Sequence, residues 1–469
     1  MSGVDIVIIV GYFITMIVLG AVANKMQKNS EDYFVGGRKL GSFSIMSLWF
    51  SSWIGGAAIV GTVSTAFDYG ISGIWYVLAS VISCVLFACT SSGKINEFGK
   101  KYGHVTYPDF IGQAYDERTR LIATITTALA YIGYTAGQFA AAGAVLQMLF
   151  DWPLVTSYAV AAGIVLLYTA VGGLLAVTYT DWAQFVFIMF GIVILGIPIC
   201  LQTGGGVENI ITQMPEGFTN IGNWGWPTII GLTLSMVLSF YTGMDSYTKC
   251  FAAKNPKVAK RGTLLAAAAM FFVAVGATLM GIVARMKYPE LSESGDVAYR
   301  FIFEYFPSGI RGVALVSVLA AIMSSADICM LTASANLSRD IYQRYFGKGK
   351  SERHIFIAGM ILSLIVGVLG LLVSIAMKSV IDILYLCMTI NGAGLFLPTV
   401  AAMYWDYHDS WSACASIFAS LVVVITWYIL GLATQVELFQ IEPIWPGLFA
   451  SVLIFMPNFI RYIIRVKRN

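Results

Sequence analysis

"SSWIGGAAIVG", residues 51–61, lies inside an apolar run long enough to cross a bilayer as a helix. A glycine costs a helix about 1 kcal/mol relative to alanine. A backbone amide released within lipid also needs protein or water to bond to. Gly55 and Gly56 at the centre of such a run, just after Ser51, Ser52 and Trp53, therefore have two readings. Either the pair lets another helix pack close, or the helix opens there.

The surrounding chain is membrane sequence. Hydrophobic residues make up 58% of its 469 residues and charged ones 11%, outside the range of soluble domains. Thirteen apolar runs can be marked, at about 4–24, 42–67, 71–92, 121–149, 153–175, 181–202, 227–250, 262–284, 311–336, 355–377, 380–404, 411–432 and 443–464. They predict an all-α membrane protein. The first run has no basic stretch before it and no small-residue cleavage site after it, so it reads as a helix rather than a signal peptide. The seven cysteines lie in or beside the runs with no CxxC, which predicts reduced packing residues rather than a metal site.

Charge predicts orientation. With the N-terminus outside and alternating spans, the inside segments hold Lys25, Lys28, Arg38 and Lys39, then Lys94, Lys100, Lys101, Arg118 and Arg120. Further along they hold Lys249, Lys254, Lys257, Lys260 and Arg261, and then Arg339, Arg344, Lys348, Lys350 and Arg353. The tail adds Arg461, Arg465, Lys467 and Arg468. That places 23 of the 28 Lys and Arg inside and leaves Arg285, Lys287, Arg300, Arg311 and Lys378 outside, the bias of the positive-inside rule. The C-terminus is then inside. The net charge of +3 describes topology, not a nucleic-acid partner.

No soluble domain is available for catalysis. The longest connections are about 93–120, 203–226 and 285–310, and none carries a phosphate-cradling glycine loop. The last, with Glu290, Glu293, Asp296 and Glu304 among aromatics, reads as an external amphipathic helix or lid. The three histidines, His104, His354 and His408, all fall at cytoplasmic edges. The chain is not expected to be an enzyme.

Polar residues inside apolar spans carry the information, because they are rare there and usually functional. The ninth run reads "VALVSVLAAIMSSADICMLTASANLSRDIY", with Ser324, Ser325 and Asp327 within one turn. The sixth begins "VTYTDWAQF", with Asp181 just inside its cytoplasmic boundary. Small hydroxyls beside a carboxylate, with no basic partner in the span, suit a bare sodium ion. The plainer reading is that serines and threonines allow close helix packing.

Runs 2–6 and 7–11 form two sets of five with opposite starting directions. Each set begins with a glycine-interrupted run: Gly55-Gly56 in the first, and Gly243 beside Asp245 in "SMVLSFYTGMDSYTK" in the second. Paired interruptions in two inverted halves mark a transporter's central site. Carbonyls of Ser51 and Ile54 would be released toward a cation there, and the following amides toward a substrate. The expected organisation is one transporter domain over 1–469. It comprises a first helix and loop at 1–41, repeats at 42–202 and 227–405, and two peripheral helices at 406–469.

Three stretches, "SEDYFVGGRKLGSFSIMSLWFSSWIGG", "YTAVGGLLAVTYTDWAQF" and "LAAIMSSADICMLTASANLSRDIY", resemble the recurrent blocks of the sodium:solute symporter family over about residues 30–405. The resemblance implies a LeuT-like 5+5 inverted repeat. It also implies a sodium site at Ser51, Ile54, Ala321, Ser324 and Ser325, and a second cation or coupling carboxylates at Asp181 and Asp327. Asp327 stands where several two-sodium members have serine, and Ile328 where they have a hydroxyl. The wording "MSSAD" with "WIGG" is most similar to the high-affinity choline transporter branch. Trp53 falls at a cage position of that branch, and the others align to Ile82, Tyr134 and Met244, so the cage is incomplete. Ala58 stands where the sugar branch has a glutamine, which argues against a sugar.

Gly55, Gly56, Ala58, Tyr134, Tyr241, Met244 and Asp245 join Trp53 as expected substrate contacts. Asp245, facing the cavity, would favour a cationic or zwitterionic amine or amino acid; its other reading is a cytoplasmic gate residue. The expectation is sodium-coupled import of a small organic solute by alternating access. The alternatives are proton coupling through Asp181 and Asp327, or uptake of a small carboxylate such as pantothenate. A channel needs a filter repeat and a sensor needs an output domain, and neither is found. The expected setting is a cell membrane, a bacterial inner membrane, with lipid, sodium and solute as partners and no required protein partner.

Overall fold

The computed structural model describes residues 2–24, 30–291, 294–377, 380–434 and 436–466. Lys25, Lys28, Lys378, Lys467 and Arg468 of the charge pattern, and Glu293 of the predicted lid, lie outside them. Among the described residues the protein is helical apart from one isolated bridge between Leu40 and Ala253. The principal helices are α1 (Gly3–Asn24), α2 (Ser42–Trp53), α3 (Thr62–Tyr69), α4 (Trp75–Thr90), α5 (Glu117–Phe150), α6 (Leu154–Ile188) and α7 (Trp226–Thr242). They continue with α8 (Met244–Ala252), α9 (Pro256–Lys287), α10 (Ile310–Ala335), α11 (Glu352–Ala376), α12 (Val380–Tyr404), α13 (Ser410–Ala433) and α14 (Ile444–Val466). All thirteen apolar runs fall on helix. Among the described residues ten helices are long and apolar enough to span a membrane, or eleven with α7 and α8 taken as one bent span.

The helix with the most small hydroxyls sits deepest. In the span containing α10, 94% of the most apolar stretch is buried, against 22% for α14 at the rim. α10 packs against α1, α2, α5, α6 and α11. Its alanines and serines permit that approach on all sides, as small residues do between membrane helices.

Two helices are interrupted as the glycines suggested. α2 ends at Trp53, and Ile54 leaves the helical region at φ −97°, ψ 71°. The chain resumes a helical path at Gly56 and runs through a wide π turn, Ala57–Gly61, into α3. α7 and α8 meet at Gly243, ψ 118°, with a bend of 49°. The two devices are tied together at the ends next to Leu40 and Ala252. Leu40 N–H donates to Ala252 O at 3.0 Å, and Lys254 N–H donates to Leu40 O at 3.0 Å.

One boundary differs from the sequence reading. The sixth span begins at residue 174, directly after a break at Gly173 (φ 50°, ψ −159°), instead of near 181. A Cβ at Gly173 would lie 2.4 Å from the Tyr33 ring, so the reversal needs glycine twice over. Asp181 therefore sits about 10 Å, two turns, into the helix rather than at its edge. In the 285–310 connection, Val297–Tyr305 forms a helix that buries Val297, Phe301 and Ile302.

Candidate functional site: a cation pocket beside a central cavity

Both readings of Gly55-Gly56 hold in the structure. A Cβ on Gly55 would lie 2.8 Å from Ser325 Oγ, and one on Gly56 2.5 Å from Ile322 Cγ1, so the pair admits α10. The helix also opens there, because the last carbonyls of α2 have no amide following them in helical register. Close approach and opening act together: the released carbonyls end up against the hydroxyls of α10.

Ser51 O accepts hydrogen bonds from Ser324 Oγ at 3.1 Å and Ser325 Oγ at 2.9 Å. Ser325 Oγ also lies 3.3 Å from Ser52 O, and both hydroxyls lie within 3.2 Å of Ala321 O. Ser51, Ala321, Ser324 and Ser325 are thus brought into one cluster of hard oxygens. Ala321, Ser324 and Ser325 share a helix face at i, i+3 and i+4. Ile54 sits at the break with its side chain fully buried. The donor set is carbonyl and hydroxyl, which suits a hard monovalent cation. No group of three or more His, Cys, Asp or Glu that could hold a metal is found among the described residues.

A second polar cluster lies one layer away. Asp181 and Asp327 are fully buried and close enough to feel each other's charge, with Ser51 facing Asp181. With the Gln184 amide turned so that its nitrogen meets acceptors, it donates to Asp181 Oδ1 at 3.1 Å and Thr180 O at 3.3 Å. Its oxygen then accepts from Tyr12 Oη at 3.1 Å. Sequence reading missed Gln184, three residues after Asp181, and Tyr12, whose helix looked peripheral. Tyr12 is the one tyrosine of the first run, and that was the available signal.

The central cavity borders the same break. Its wall includes Trp53, Gly55, Ala58, Tyr134 and Asp245, as expected. Gly56, Met244 and Tyr241 do not line it, nor does Ile82. Gly56 is turned toward α10. The Gly243 bend places Asp245 at the cavity and leaves Met244 fully buried in packing. Tyr241 points away, with Oη 2.5 Å from Thr90 Oγ1 and its ring edge-on to Phe87. Trp53 stacks on Phe240 at 3.9 Å between centroids, so one ring face is already covered.

Residues not anticipated complete the wall, among them Tyr76, Tyr131, Gln138, Ser239 and Asn391. Tyr131, Tyr134 and Gln138 stand at i, i+3 and i+7 of α5, a polar stripe legible in "YIGYTAGQ". Four aromatic rings thus face the cavity, although two of the aligned cage positions do not.

Asp245 is not a free carboxylate. It forms an ion pair with the fully buried Lys249 one turn on, and Tyr131 Oη donates to its other oxygen. Lys249 Nζ also sits 4.5 Å from the centre of the Trp49 ring. Asp245 therefore borders the cavity and closes its floor at once, with its charge matched inside the protein. Below it, Arg120 pairs with Asp109 and Asp340, and Thr106 Oγ1 donates to Asp340 at 3.0 Å. At the opposite end the cavity adjoins a vestibule that shares Tyr76, Met236, Leu384 and Met388 and runs to Trp224 and Glu442.

A central cavity between two opened helices, sealed at one end and adjoining a vestibule at the other, is the frame of an alternating-access secondary transporter. The chain is similar over 97% of its length to a Na+-coupled sialic acid symporter solved in a substrate-bound outward-open state, with TM-score 0.83, 20% identity and 96% of that chain covered. It is 25% identical to the high-affinity proline transporter PutP of Bacillus subtilis, over 93% of this chain and 94% of the relative. It is 23% identical to the high-affinity choline transporter 1 of Caenorhabditis elegans, over 89% and 77% of the two chains. Residues 33–420 match the sodium:solute symporter family, and the chain belongs to it. It is a multi-pass membrane protein that couples sodium to transport of a small solute, and not an enzyme.

Proposed function

We propose that sodium binds at Ser51, Ile54, Ala321, Ser324 and Ser325, and that the adjoining cavity takes a small zwitterionic amine such as an amino acid. The observation that carries the ion site is the sharing of Ser51 O by two hydroxyls of a distant helix. Sodium there would replace serine protons as the partner of the carbonyls, holding α2 against α10 and shaping the cavity wall at Gly55. Amides of the half-helix beginning at Gly56 favour a carboxylate at its positive end. The aromatic wall suits an ammonium group. The internal Asp245–Lys249 pair leaves the cavity without a net charge of its own, which favours a zwitterion over a pure cation or a carboxylate such as pantothenate.

Asp181 and Asp327, with Ser51 between the clusters, act as a second cation site or as coupling carboxylates. The repeats run over 42–202 and 227–405, and the basic residues put the N-terminus outside and the C-terminus inside. The vestibule then faces out and Asp245–Lys249 closes the inner side. The protein works in a lipid bilayer with no protein partner required.

Sodium dependence of uptake in proteoliposomes tests the ion site. Ser325→Ala and Asp181→Asn should each raise the sodium concentration for half-maximal uptake, by about tenfold for one lost charge-assisted contact. Unchanged dependence in both variants defeats the assignment. Uptake driven by a pH gradient without sodium would instead make the carboxylates a proton site.

A further inference from the structure

Asn391 of α12 lines the cavity and is 1% exposed. Its amide orientation follows from its neighbours. Thr242 Oγ1 donates its only proton to Leu238 O at 2.9 Å, so toward Asn391 it can only accept. The group facing it at 3.2 Å must then be Asn391 Nδ2. That leaves Asn391 Oδ1 as an acceptor, buried and with no hydrogen-bond partner among the described residues. Gln138 Oε1 and Trp53 Nε1 on the same cavity wall are also buried without partners among the described residues. Of these, Gln138 can turn its amide freely, whereas Asn391 can turn only if Thr242 Oγ1 gives up its bond to Leu238 O.

A buried acceptor left unpaired is costly, and polar groups kept in that state in a binding wall reject ligands that cannot satisfy them. We infer that Asn391 is a specificity-determining residue that demands a hydrogen-bond donor on the substrate's nitrogen, so that primary and secondary ammonium groups are accepted and fully N-methylated ones are refused. This rests on the zwitterion reading above. A protonated amine bearing N–H satisfies Asn391 Oδ1 while its charge meets the ring faces. A quaternary ammonium satisfies the rings and leaves the amide oxygen facing methyl groups. Asn391 stands beside Thr242, the last residue of α7 before the bend, so the same contact reports substrate to the second opened helix.

The test uses the full-length protein, purified and reconstituted, with sodium-dependent thermal shift followed by competition for uptake. The probes are glycine, alanine and proline, their fully N-methylated counterparts, choline, and acetate as a nitrogen-free carboxylate. N–H-bearing compounds should bind at least about tenfold more tightly than their permethylated partners. Asn391→Ala should shrink that ratio to about twofold while keeping its sodium-induced stabilisation. Asn391→Gln, which keeps an amide acceptor and donor without adding charge, should retain the preference. Permethylated compounds binding as well as their parents, or a ratio unmoved by Asn391→Ala, overturns the inference and leaves the transport reading standing. The inference also falls if Asn391→Ala loses sodium stabilisation and Asn391→Gln loses the preference. A panel in which no amine binds, or only acetate does, overturns the zwitterion reading together with this one.

Discussion

The two opened helices use one backbone device for opposite ends. At Gly55 the break carries no charged side chain. It is lined by carbonyls, amides and serine hydroxyls, groups whose partial charges are left for an ion or solute to use. At Gly243 the break carries Asp245 and Lys249, and these satisfy each other. A buried ion pair contributes little net stability, but removing one member strands the other. The first break therefore leaves backbone and hydroxyl groups turned to one another across two helices, and the second closes on its own ion pair.

Removing one charge at the second break should have the largest effect. Lys249→Met leaves Asp245 buried without its cation and should cost about 3–5 kcal/mol, while Asp245→Asn combined with Lys249→Met should recover most of it. Thermal melts of the single and double variants check this; a single variant as stable as the parent would mean that the pair does not seal the floor. Next comes Gly55→Ala. Its Cβ would meet Ser325 Oγ at 2.8 Å, so an overpacking cost of about 1–3 kcal/mol should appear chiefly as weaker sodium dependence of uptake. If Gly55→Ala leaves the sodium response intact, the two breaks are less different than described. The smallest effect belongs to Tyr241→Phe, which loses one hydrogen bond to Thr90, about 1 kcal/mol or less. Its substrate affinity should stay within about twofold, and a larger loss would return Tyr241 to the cavity wall.

The helices, the two breaks and the hydroxyl cluster are legible in the sequence. Apolar runs located the helices because a bilayer admits little else. Glycines located both breaks because a helix pays for each of them. The hydroxyl triplet on α10 was visible as polar residues at helical spacing in an otherwise apolar span. The errors arose where a side chain's direction depends on a bend. Met244 and Asp245 are adjacent, and only the turn at Gly243 decides which meets the cavity. Tyr241 precedes the same bend and points to α4 instead. Asp181 lies deep in its helix rather than at the edge because the reversal at Gly173 is hidden within an apolar run.

The chain by itself determined the class of protein, the positions of its helices and the hydroxyls that meet the first break, since each follows from local residue chemistry under the constraint of lipid. Tertiary structure decided the pairing of Asp245 with Lys249, the reach of Tyr12 into the centre and the contact of the Asn391 amide with Thr242. Each of these depends on which atoms from distant segments come within about 3 Å, a hydrogen-bond distance. No periodicity along one segment encodes that.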